Sequence, residues 1–221
     1  MKKIMFNDRY GLTQAVIEGR KTMTRRIMNP QPKDCTAAHK ADWPNEPMKM
    51  YVDNLGRIYC EVCGYGVIKY PKLGLIDSLQ TTYKLGEVVA IAQSYNSFYD
   101  DTYNPVLFPV GAGWNNKMFV KPELMPHQVR ITGIKCERLQ DISDADCMKE
   151  GVSGSYIGFF VPGIKCKDWE KESHVETEDG NVWKLFPTPR RAFASLIDKV
   201  SGRGMWDRNP WTVVYEFELL K

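Results

Sequence analysis

"EGRKTMTRRI", residues 18–27, lies where the chain changes from one repeating pattern to another. Upstream of it Leu12, Ala15 and Val16 recur at helical spacing, and Gly19 stands where a helix end favours a left-handed residue. Downstream the residues alternate, with Met23, Arg25 and Ile27 on one face and Thr22, Thr24 and Arg26 on the other. The stretch therefore reads as helix end, glycine turn and strand. Residues 3–6, "KIMF", read as an earlier strand, with Asn7 or Asp8 capping the helix. A strand–helix–strand opening sets the fold class.

The same stretch is unusually basic. Lys2, Lys3, Arg9, Arg20, Lys21, Arg25 and Arg26 fall within the first 26 residues, opposed only by Asp8 and Glu18. Yet the 221-residue chain carries a formal net charge of only +3, short of the signature of a duplex-wrapping protein. Any anion-binding surface must therefore be local. Arg20, Lys21, Arg25 and Arg26 could meet an anion at one sheet edge, since arginine offers paired donors to phosphate. The plainer reading is a solvated basic edge that discourages strand pairing between molecules.

Outward from here, Pro30, Pro32, Pro44 and Pro47 punctuate a polar loop. A hairpin follows, turning at residues 53–56, and residues 28–82 read as one insertion in a single domain spanning 1–221. Residues 88–92 are a continuous apolar run that suits a buried strand. "MFVKPEL" suggests a short strand ended by Pro122, and residues 127–139 alternate as a longer one, with a bulge expected at Gly133. Ser143 with Asp146 three residues later marks a helix start that Gly151 closes. Residues 153–182 read as a variable loop region. Thr188–Pro189 begins a further helix, and Trp211, Val213, Tyr215, Phe217 and Leu219 share one face of a last strand. The order predicts an α+β domain around a curved sheet or small barrel.

With 43% hydrophobic and 12% aromatic residues the chain can build a sizeable core. No apolar run spans a bilayer, no secretory leader is legible, and a cytoplasmic setting is expected, where thiols stay reduced. Cys60 and Cys63 form half of a zinc-ribbon pattern, which Cys35 and His39 could complete; no other cofactor is called for. Two ordinary cysteines on a hairpin are the alternative.

Four segments in order resemble the ASCH-domain family: "AVIEGRKTMTRRI", "YKLGEVVAIAQSY", "VRITGIKCERLQDISDADCMKEGV" and "FASLIDKVSGRGMWDRNPWTVVYEFELL". The likeness is to phage and prophage members, some labelled morphogenetic proteins, and it omits residues 28–82 and about 153–182. It implies a PUA-like fold, a small mixed β-barrel with flanking helices. It also implies a cleft for RNA or a modified nucleoside. One branch of the family is an amidohydrolase acting on N(4)-acetylcytidine, with a lysine and a threonine of the Gly-x-Lys-Thr-x-Thr stretch and a later glutamate. Carried over by motif these are Lys21, Thr24 and Glu150; Arg20, Arg25 and Arg26, from the basic cluster itself, are the expected ligand contacts. A threonine nucleophile needs a base, which a nearby lysine amine could supply. A non-catalytic RNA-binding module and a phage assembly protein are the alternatives. Where relatives carry a Trp/Val-Arg-Glu-Thr/Ser-Trp stretch, this chain has "AIAQSYNSF".

Overall fold

The computed structural model describes residues 1–32, 47–64, 79–99 and 111–220. Strand β1 (Lys2–Ile4) leads into a 3-10 turn (Asp8–Tyr10) and helix α1 (Leu12–Ile17). The Asn7 side chain accepts from the Arg9 amide to start the turn, and Gly19 leaves the helix at φ 75°. Strand β2 (Met23–Ile27) follows, then the hairpin of β3 (Met50–Val52) and β4 (Ile58–Cys60). Met50 and Ile58 join the main core, so the described part of the expected insertion docks on the body of the domain.

The main sheet adds β5 (Val88–Ile91), β6 (Gln128–Arg138) and β11 (Trp211–Leu220) in the order β1-β5-β6-β11-β2. The β1–β5 pair is parallel and the other three are antiparallel. The expected bulge is present: the β6–β11 register shifts at Glu216/Phe217, opposite Gly133 and Ile131. β11 is buried on both faces for most of its length, because it lies inside the sheet: Trp211, Val213, Tyr215 and Phe217 join the main core, and Thr212 and Val214 are covered on the other face.

This is a mixed sheet with few helices, and among the described residues it does not close into a barrel. Its edges, β1 and β2, nevertheless approach each other. Arg26 Nη2 donates to the carbonyl of Met5, just beyond β1, and the Phe6 ring packs 5.7 Å from that of Phe217 on β11. Side chains fill this seam where a barrel would have a hydrogen-bonded ladder.

Helix α2 (Asp144–Lys149) begins as expected, with Ser143 Oγ accepting from the Asp146 amide at 3.1 Å. Helix α3 (Pro189–Ser201) begins at Thr188, whose hydroxyl accepts from the Arg191 amide at 3.2 Å, and ends at Gly202. It buries Ala192, Phe193, Leu196 and Ile197, and a short helix α4 (Met205–Arg208) follows.

Two expectations fail. Residues 117–124 form two 3-10 turns rather than a strand: Pro122 starts one, and the Asn116 side chain holds the Met118 amide in the other. A proline without an N–H and an amide already held locally cannot join a ladder. Residues 153–182 are not merely loop. They hold the hairpin of β7 (Ser153–Ser155) and β8 (Gly158–Phe160), and all but the end of a second, of β9 (His174–Glu176) and β10 (Val182–Lys184). Strands of three residues are too short to display a period. Among the described residues no helix is long and apolar enough to cross a membrane.

Candidate functional site

The turn after α1 determines where Lys21 goes. Its amide donates back to the Ala15 carbonyl at 2.9 Å, and the next amide, of Thr22, donates to the Lys149 carbonyl at the end of α2 at 3.0 Å. Lys21 thus sits before the strand proper, as reorientation by the Gly19 turn requires. Its side chain runs inward and is 2% exposed. All three ammonium protons find acceptors at 2.7 Å: the Met23 carbonyl, the Glu150 carbonyl and Glu150 Oε2. Gly151 permits this approach. Its φ is 103°, and a Cβ there would lie 3.0 Å from Leu12 Cδ2 and 3.6 Å from Lys21 Cδ.

Arg25 is buried too, at 7% exposure. The alternation already placed it with Met23 and Ile27; the structure turns that face inward and gives the guanidinium three carboxylates. Nη1 donates to Glu150 Oε1 at 3.0 Å, and Nη2 contacts Glu137 and lies 3.5 Å from Asp146. Lys135 joins from outside, 3.0 Å from Glu137. Glu150, 4% exposed, therefore holds a different cation with each carboxylate oxygen. Arg25 Nε is buried without a partner.

The electrostatics follow from burial and pairing. Burial lowers the pKa of Lys21 below the ordinary lysine value, and the charge and hydrogen bond of Glu150 oppose this without cancelling it. Burial alone would lower Arg25 as well, but Glu150 and Glu137 outweigh it and raise its pKa. Burial raises Asp146, yet Lys135, Arg25 and Lys149 prevail and hold its carboxyl below the usual aspartate value.

Above this ionic floor lies a cleft of about 660 Å³, within the range of small-molecule sites. Lys21, Thr24, Arg25, Arg26 and Glu150 all line it, so five of the six expected residues share one cavity. The sixth, Arg20, is exposed, pairs with Glu18 at 2.5 Å, and lines a different groove. Thr24 is 5% exposed and makes no hydrogen bond to Lys21 or Glu150 among the described residues. Arg26 is exposed at the mouth, its guanidinium 6.0 Å from the Phe6 ring centre. One wall, from α3, is apolar: Phe193, Leu196, Ile197 and Val200.

Motif reading missed Lys117, Phe6 and the α3 wall, and it counted Arg9 only as part of a charge run. All line the cleft. Lys117 is tied to Asp8 at 2.8 Å and to the Phe6 carbonyl. No local signal marks it. The apolar stripe of α3 was legible as a helix face, but not as a cavity wall.

Of the proposed zinc ligands, Cys35 and His39 lie outside the described residues. Cys60 is buried in β4 and Cys63 is half-buried just after it. Among the described residues no group of three or more ligating side chains converges. Cys136 and Cys147 are core thiols, each pushed up to about 12 by burial, far from the range of a reactive thiolate. In comparisons with known proteins, no family model, no curated protein and no solved structure matches the chain.

Proposed function

We propose that the chain is an ASCH-domain protein of PUA-like type that takes a nucleoside or a nucleotide of RNA into this cleft and hydrolyses an N-acylated pyrimidine such as N(4)-acetylcytidine. One observation carries the reading: Lys21 and Glu150, 129 positions apart, meet at 2.7 Å in a cavity that Thr24 also lines. Burial of charged groups is costly unless they are paired and hydrogen-bonded, and a perturbed, paired group in a cleft is a candidate for a functional site.

The ground state has Lys21 as a satisfied ammonium. It becomes a base by losing one proton to solvent, a loss that its lowered pKa favours, while Glu150 Oε2 holds it in place. The neutral amine then accepts the Thr24 proton, directly or through one water. Thr24 Oγ attacks the acyl carbon, and the C–N bond to the pyrimidine amine breaks as that nitrogen takes a proton from Lys21. Water cleaves the acyl-threonine ester, releasing acetate and restoring the hydroxyl. Arg26 at the mouth is placed to bind the ligand's anionic or carbonyl groups.

The test is release of cytidine and acetate from N(4)-acetylcytidine. Thr24→Ala, Lys21→Met and Glu150→Gln should each cut turnover by about 10³-fold or more, and non-additively, because the three act as a unit. Turnover should rise with pH and level off below 10.5, the ordinary lysine value. A second reading is binding without hydrolysis, favoured by the missing Thr24–Lys21 hydrogen bond. It predicts measurable nucleoside affinity with no acetate released. Neither turnover nor binding would sink both.

A further inference from the structure

The cleft does not end at Ile27 and Ser201. Those two residues also line a second chamber of about 730 Å³, on the far side of the β2 end and of the α3 C-terminus. This chamber has an apolar floor that includes Met28, Met205 and Pro210, and two amides, Asn29 and Gln31, line it. Its ionisable lining is Arg138 and Arg208, with no carboxylate.

Both arginines have donors to spare. Arg208 reaches only backbone carbonyls, those of Gly204 at 3.3 Å and Arg203 at 3.4 Å. Arg138 reaches the Asn209 carbonyl at 3.3 Å and lies 4.5 Å from the Trp211 ring centre, so the indole packs against its guanidinium. Neither has an ion-pair partner among the described residues. In the first cleft the buried cations have carboxylate partners, whereas Arg9 and Arg26 at its mouth have none among the described residues. The two chambers together thus present four unpaired guanidinium groups beside apolar surface.

We infer that the second chamber is a subsite for the neighbouring unit of a single-stranded polynucleotide, with Arg208 and Arg138 on its phosphate. The inference rests on the nucleoside reading of the first cleft and narrows it: the natural ligand is a strand, and a free nucleoside fills only half the site. Two arginines without a carboxylate match a phosphodiester, and the apolar floor matches the face of a base. A free nucleoside carries no charge for them to meet.

The experiment compares N(4)-acetylcytidine with a short single-stranded RNA containing it, titrated at several salt concentrations against wild type and Arg208→Gln. Arg208 is exposed, so the variant should fold, and a thermal melt checks this. Wild type should bind the RNA at least about tenfold more tightly than the nucleoside, the worth of a charge-assisted hydrogen bond. Arg208→Gln should remove most of that gain, flatten the slope of log affinity against log salt by about 0.7, and leave nucleoside affinity unchanged. Arg208→Lys should retain the slope. Equal wild-type affinity for RNA and nucleoside, or RNA binding untouched by Arg208→Gln, overturns the subsite while the first cleft stands. If the nucleoside fails to bind but Arg208→Gln still weakens RNA, the first-cleft reading falls and the phosphate subsite is upheld. No binding of either overturns both.

Discussion

Lys21 and Arg26 belong to one short basic stretch, yet they occupy opposite environments. Lys21 lies in the ionic floor, buried with Arg25 and Glu150 and bordered by the half-buried Glu137 and Asp146. Arg26 stands at the cleft mouth, exposed and held to the protein by the Met5 carbonyl. The floor is coupled through Glu150, which pairs with both Lys21 and Arg25, so removing it leaves Lys21 buried without a carboxylate. The rim is independent, and its members can be lost one at a time. Residue type does not distinguish the two. The Gly19 turn and the facing of β2 do.

The comparison is easiest to break at Glu150. Glu150→Ala leaves Lys21 with carbonyl acceptors only and Arg25 without its Nη1 carboxylate. It should cost about 3–5 kcal/mol, the penalty for unpairing a buried ion, as read by denaturant unfolding. A loss near zero would mean that water enters the floor and that it is not a closed network.

The floor should also show in the pH dependence of stability. Asp146 has a folded pKa below its ordinary 3.8, so its contribution is complete above that value and disappears as pH falls through the lowered one. Lys21 acts in the same sense in a different range: its folded value lies below 10.5, the unfolded chain holds that proton more readily, and stability again rises with pH across the interval. Urea unfolding of wild type and Lys21→Met over a pH series should differ in slope only in that alkaline interval.

The smallest effects belong to the rim. Arg26→Ala should change stability by no more than about 0.5 kcal/mol, as exposed substitutions do, while weakening ligand binding. Lys171, exposed beside Asp168 at 3.0 Å, serves as the control: Lys171→Ala should alter neither stability nor binding. If the two variants weaken binding equally, the rim of this cleft is not the ligand's site.

Much of the frame was legible in the sequence. Ser143 and Thr188 announced their helices by cap chemistry, Gly133 its bulge, and residues 211–220 their strand by alternation. Alternation also grouped Arg25 with Met23 and Ile27, but the basic run read as a ligand-binding or solvated edge, not as a buried charge. What periodicity could not supply was its partners. Glu137 and Glu150 lie 112 and 125 positions away, and only the assembled sheet and α2 bring them near. The cleft was hidden for a related reason. It occupies the seam between β1 and β2, and strand patterns do not reveal which edges fail to pair.

That distance in sequence has a consequence in time. The strand bearing Lys21 and Arg25 is made early, and its carboxylates arrive only after more than half the chain has followed. Closing loops of this length carries an entropic cost before any contact repays it. The floor is therefore expected to form after the folding barrier, with β2 waiting hydrated until α2 docks. Glu150→Gln should then accelerate unfolding and leave the refolding rate nearly unchanged, a split that stopped-flow kinetics reads directly.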